Sequence, residues 1–234
     1  MREILQFLRD LSRNNNREWF LSNKQRYQQV QSRWYAYCEA LVSAIGQYDS
    51  DIASLTIKDC TYRIHRDTRF SPDKSPYKTH FGAFICRGGK KSPYSGYYFQ
   101  VGIDGPGNFE GANMLATGNY WLDPRALKVL REDISMGGGE FGKLVKECDP
   151  CFEMEFEGAL KKVPAGFPAD CPDADYLRLK RYCVTYCAPD SFMTSEGLLE
   201  RSAELFRTTK PLLHYINRGI EYAVEEQGLE EFVL

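Results

Sequence analysis

Residues 62–81 read YRIHRDTRFSPDKSPYKTHF, which places five arginine or lysine side chains, two histidines and two aspartates within twenty positions. Over residues 58–91, nine cations (Lys58, Arg63, Arg66, Arg69, Lys74, Lys78, Arg87, Lys90 and Lys91) stand against Asp59, Asp67 and Asp73. That segment carries a net +6 in a chain whose formal charge is −2. Arginine offers a rigid fork of donors that matches phosphate or carboxylate, and lysine adds a compact point charge. The natural chemistry is anion recognition, with Arg63, Arg66, Arg69, Lys74, Lys78 and His80 as candidate ligand-binding residues. His65, Asp67 and Tyr77 are the candidates for handling a proton.

Competing chemistries fit less well. His65, Asp67 and His80 have the types of a two-histidine, one-carboxylate metal site, but the adjacent arginines repel a divalent cation, so no metal is expected. His65-Arg66-Asp67 has the letters of a protein-kinase catalytic loop, yet Pro72 stands where the asparagine belongs and no Asp-Phe-Gly accompanies it. Phosphate-loop and dinucleotide fingerprints are absent, and no cofactor is identified. Tyr94, Tyr97, Tyr98 and Phe99 after Lys90-Lys91 are rings beside cations, as base stacking needs. Alternation nevertheless sends Tyr97 and Phe99 to an apolar face with Val101. Three uses of the basic stretch stay open: a small anionic ligand, nucleic acid, or ion pairs that hold the fold. The start of the helix at Trp19 and Phe20 is a further candidate for meeting a partner protein.

Composition narrows the class. The chain has 234 residues, 43% of them hydrophobic and 14% aromatic, ample for a packed core and compatible with one domain over 1–234. Arg2, Glu3, Arg9 and Asp10 interrupt the apolar run that a signal peptide needs, and no stretch is long enough to span a bilayer. A cytoplasmic protein without membrane contact is expected; the oligomeric state is not legible. Eight cysteines in such a chain read as reduced thiols. Cys148-Asp149-Pro150-Cys151 has zinc-pair spacing, but Cys183 and Cys187, inside an expected strand, are spaced wrongly to complete the site.

The elements that must position the basic stretch follow from periodicity. Ile4, Leu5, Phe7, Leu8 and Leu11 form a helical stripe over residues 3–12. Asn15, with Glu18 three residues on, reads as a capping box for one long helix from Arg17 to Ile45. Residues 60–70 alternate, with Tyr62, Ile64 and Phe70 on one side and Arg63, His65, Asp67 and Arg69 on the other, which predicts a half-exposed strand. Arg66 on the apolar side needs an anion, with Asp51, Asp59 or an acid of the terminal helices as the choices. Strands are predicted at 79–87, 94–104, 108–115, 151–163 and 176–187, and helices at 123–134, 140–148, 194–206 and 211–226. The class is α+β: a meander-like antiparallel sheet packed with N-terminal and C-terminal helices.

Three quoted stretches carry a resemblance. NNNREWF at 14–20, YRIHRDTRFSPDKSPYKTHFGA at 62–83 and YWLDPRALKVLREDI at 120–134 together resemble a family of conserved hypothetical proteins of bacteria, with fungal and plant relatives, catalogued as a domain of unknown function. LRLKRYCVTYCAPDSFMTSEGLLE and TKPLLHYINRGI near the C-terminus are similar to it as well. The resemblance implies a single-domain protein whose motif positions here are Asn15, Asn16, Arg17, Glu18 and Trp19, then Arg63, Arg66, Asp67, Arg69, Phe70, Asp73, Lys74, Pro76, Tyr77 and Lys78. It implies no reaction.

Overall fold

The computed structural model describes residues 1–103 and 112–227. Helix α1 (Arg2–Arg13) buries Ile4, Leu5, Phe7, Leu8 and Leu11, the stripe expected. A twelve-residue helix is marginal by itself, and burial worth about 1.5–3 kcal/mol per large apolar side chain is what holds it. The single helix expected from Arg17 to Ile45 is instead two, α2 (Arg17–Ser22) and α3 (Lys24–Gly46). Asn23 interrupts them: its side chain donates to the Trp19 carbonyl at 2.9 Å and competes with regular helix bonding. The cap also differs from expectation. Asn16, not Asn15, accepts from the Trp19 amide at 2.9 Å, so Asn15 is free for another task.

Beyond the short helix α4 (Ile57–Cys60), the predicted strand over 60–70 is replaced by two isolated bridges, Thr61 opposite Ala83 and His65 opposite Tyr77. Between these bridges, four steps on one side face six on the other, so the register slips. Pro76 also lacks the N–H that a regular ladder would use. Strands β1 (His80–Cys86), β2 (Gly96–Gly102) and β3 (Met114–Asn119) follow. The predicted strand at 108–115 thus begins later, and its residues 108–111 lie outside the described ones.

Asp123 caps α5 (Pro124–Met136), and α6 (Glu140–Glu147) follows the glycine turn, as expected. Where strands were predicted at 151–163 and 176–187, only β4 (Glu153–Met154) and β5 (Tyr182–Cys187) form. Residues 176–178 take up a tight helical turn instead. After α7 (Asp190–Met193), the two C-terminal helices expected are one, α8 (Leu198–Gln227), with Pro211 inside it. Proline forfeits one helix bond, but burial of Phe206, Leu212, Leu213, Ile216 and Ile220 offsets that local loss.

The five strands are antiparallel in the order β1-β2-β3-β5-β4, in an α+β protein. The chain divides into two compact units. The first comprises Met1–Ile85, Tyr98–Leu115 and Cys187–Ala203. In its core, the Trp34 ring lies 5.9 Å from Phe81 and 6.1 Å from Phe99. The second comprises Cys86–Tyr97, Ala116–Tyr186 and Glu204–Leu234. It centres on Phe141, whose ring lies 5.6 Å from Tyr182 and 5.5 Å from Tyr215. Among the described residues, no helix is long and apolar enough to cross a membrane.

Candidate functional site

All the residues singled out by charge and spacing at 62–81 fall in the first unit. Three backbone bonds tie the segment into an irregular hairpin: Tyr62 N to Gly82 O at 3.3 Å, Lys78 N to Ile64 O at 2.8 Å and Arg66 N to Pro76 O at 3.0 Å. His65 and Tyr77 face each other as a pair without mutual bonds, which leaves the Tyr77 amide and carbonyl on the outer edge. Asn15 takes both. Its Oδ1 accepts from Tyr77 N at 3.1 Å and its Nδ2 donates to Tyr77 O at 2.9 Å. Phe20 stacks on the Tyr77 ring at 3.9 Å with an interplanar angle of 14°. The asparagine run and the basic stretch are therefore one construction, with α2 as its brace.

Most of the charge then turns inward. The half-buried Arg66 pairs with Asp73, donates to Ser75 O at 3.2 Å and to Ser71 Oγ at 3.3 Å. Its anion is thus within its own loop, rather than Asp51, Asp59 or a terminal-helix acid. Asp73 also accepts from Ser75 N at 3.1 Å and Ser75 Oγ at 2.7 Å. Arg69 grips Asp67 through Nε, at 3.0 and 3.1 Å, and through Nη2 at 2.6 Å. Lys74 Nζ donates to the Thr68 carbonyl at 2.9 Å. Hydrogen bonding from Arg69 holds the Asp67 carboxyl down to about 2, and that from Arg66 does the same for Asp73. A carboxyl at about 2 is a weak base at neutral pH.

Two cations are not used this way. Lys78 is half-buried, with Nζ over the Tyr62 ring at 5.4 Å and no carboxylate within ion-pair distance among the described residues. Burial lowers its pKa, and repulsion from Arg63 and then Arg66 lowers it further. Arg63 is exposed and likewise makes no ion pair among the described residues. An ammonium taken from water, pressed by two guanidiniums and paired with no acid among the described residues is suited to receiving an anion. The signal available in the sequence was the charge imbalance; which two cations remain over was not.

The other candidates scatter. His65 is exposed, its ring 5.3 Å from Tyr77 and 6.0 Å from Phe20. Tyr77 is buried under Phe20. His80 is buried on β1, where a Cβ built on Gly102 would sit 2.5 Å from its own Cβ. The ligand atoms of His65, Asp67 and His80 do not all come within 4.8 Å of one another. Phe70, expected on the apolar side of a strand, is 94% exposed in the loop beyond the His65–Tyr77 bridge, because no strand forms there. Asn15, Tyr62 and Phe70 are the residues whose roles sequence reasoning missed.

No curated protein and no solved structure matches the chain. A family model described as "Conserved hypothetical protein (DUF2461)" matches residues 3–215, a stretch that takes in both the asparagine run and the basic hairpin. By that match the chain belongs to the DUF2461 family of conserved hypothetical proteins.

Proposed function

We propose that the protein binds a small anionic ligand, phosphate- or carboxylate-bearing, through Lys78 and Arg63. The observation that carries this reading is Lys78: a half-buried ammonium with an aromatic floor and no acid partner among the described residues. Arg66, Arg69 and Lys74 act as architecture, bonded to Asp73, Asp67 and Thr68, and they lend the site positive potential without gripping the ligand. His65, Asp67 and Tyr77 are assigned no proton transfer, and no reaction is proposed. A cytoplasmic setting suits the eight cysteines, none of which forms a disulfide.

The test is calorimetric titration with inorganic phosphate and with a dicarboxylate at low salt. Saturable binding that disappears in Lys78→Gln and survives in Arg69→Ala supports the reading. Absence of binding by either anion, or binding unchanged in Lys78→Gln, overturns it and leaves the basic stretch as scaffold.

A further inference from the structure

The loop that consumes three cations and two aspartates in bracing itself presents one large apolar side chain to water. Phe70 is 94% exposed, the most exposed of the large hydrophobic residues in the described structure. A cation also lies near it. The Arg69 guanidinium carbon lies over its ring at 5.8 Å, and Arg69 is pinned in turn by three contacts to Asp67 of 2.6 to 3.1 Å. The phenyl ring is therefore open to solvent on nearly all sides, with the exposed, Asp67-bonded Arg69 guanidinium near one face. An exposed phenylalanine gains nothing for the fold from this arrangement, whereas a stacking platform needs it: a flat, accessible ring beside positive charge.

Base stacking on an aromatic side chain beside a cationic track is how proteins hold single-stranded nucleic acid. We infer that the anionic ligand of the Lys78–Arg63 site is a short single-stranded oligonucleotide, its phosphates on Lys78 and Arg63 and a base on Phe70. This rests on the anion reading above and extends its ligand from a small anion to a chain of phosphates. Phe70 lies six residues from Ile64, whose carbonyl accepts the Lys78 amide at 2.8 Å, so ring and ammonium belong to one irregular hairpin. Within the first unit, Lys58, Arg63, Arg66, Arg69, Lys74 and Lys78 stand against Asp59, Asp67 and Asp73 over residues 58–85, an excess of positive charge that attracts a phosphate chain.

The experiment measures fluorescence polarisation of a labelled oligothymidylate and oligouridylate of about 8 nucleotides, within the usual site size, across a salt series. Tighter binding at low salt is expected, with Phe70→Ala and Phe70→Leu each weakening it by about 5- to 150-fold. Lys78→Gln should reduce the slope of log affinity against log salt by about 0.7. Because Phe70 is exposed, both of its variants should keep the wild-type melting temperature, which serves as the fold control. Equal binding by Phe70→Ala and wild type overturns the inference. So does full binding by Phe70→Leu, which would mark the ring as a greasy anchor rather than a stacking surface. Binding of inorganic phosphate without the oligonucleotides ends the inference and leaves the anion reading standing. Binding of neither, or an unchanged slope in Lys78→Gln, ends both.

Discussion

Asn15 closes on the backbone of Tyr77 across 62 residues of sequence, accepting from its amide at 3.1 Å and donating to its carbonyl at 2.9 Å. The side-chain amide thus does what a neighbouring strand would do for one residue. It ties the N-terminal helices to the hairpin that carries Lys78.

Two bonds to a half-buried backbone set the size of its contribution. Asn15→Ala should lower unfolding free energy by about 1–3 kcal/mol in urea denaturation, from about 0.5–1.5 per bond. Asn15→Asp should be worse than Ala, because the lost donor leaves a carboxylate oxygen facing the Tyr77 carbonyl. If Asn15→Asp matches wild type, the clamp contributes nothing.

Arg66 and Arg69 look alike in sequence and should behave differently. Arg66→Ala removes a guanidinium with only 11% of its side chain exposed and strands the groups around it, so a loss of about 1–3 kcal/mol is expected. Arg69→Ala should leave the melting temperature close to wild type, because its pair with Asp67 is solvent-exposed. Equal losses from the two would contradict this division.

Asp67 and Asp73 both titrate at about 2 when folded, below their unfolded value near 3.9. The loop's ion pairs therefore contribute fully above the unfolded value and are lost as pH falls from about 4 towards 2. Amide protection factors at residues 66–76, with exchange rates corrected for the intrinsic pH dependence, should fall over that window while α1 and α3 stay protected. An Asp67→Asn/Asp73→Asn variant should exchange rapidly at neutral pH as well.

Lys78 is also shifted downward, but here the fold disfavours the charged form instead of favouring it. Its folded pKa lies below its unfolded value, so between the two the unfolded chain binds more protons and stability rises with pH. Lys78→Gln should be more stable than wild type at neutral pH without ligand, and the gap should close as pH approaches about 10. Paired melting curves at pH 7 and pH 9.5 decide it; a variant less stable at both values would mean that Lys78 supports the fold.

Gly118 tests the second unit. It has φ of +135°, and a Cβ there would sit 1.9 Å from the Tyr182 carbonyl oxygen. Gly118→Ala combines backbone strain with a collision against β5, and a loss of about 3 kcal/mol or more is expected in denaturant unfolding. A loss under about 1 kcal/mol would mean that β3 and β5 separate easily.

Local pattern was enough for the elements whose cause is local. The stripe of Ile4, Leu5, Phe7, Leu8 and Leu11, the strands around Phe81 and Phe99, and the Asp123–Pro124 helix start all follow from spacing within a few residues. Even the outward side of Arg63, His65, Asp67 and Arg69 holds, although no regular strand forms there. Helix ends were less legible, because Asn23 breaks a helix without glycine or proline and Pro211 does not break one whose neighbours are buried.

By itself, the sequence determined the class of the fold and the place where positive charge gathers, since periodicity and composition are properties of the chain. Only the tertiary structure decided which acid each cation meets. Arg66 takes Asp73, Arg69 takes Asp67, and Lys78 meets none among the described residues. Pairing depends on distances of a few ångströms, and the register slip between Thr61 and His65 rearranges those distances without leaving a mark in the spacing. For the same reason the partner of Asn15 lay out of reach: a hydrogen bond over 62 residues is set by packing, here of Phe20 on Tyr77.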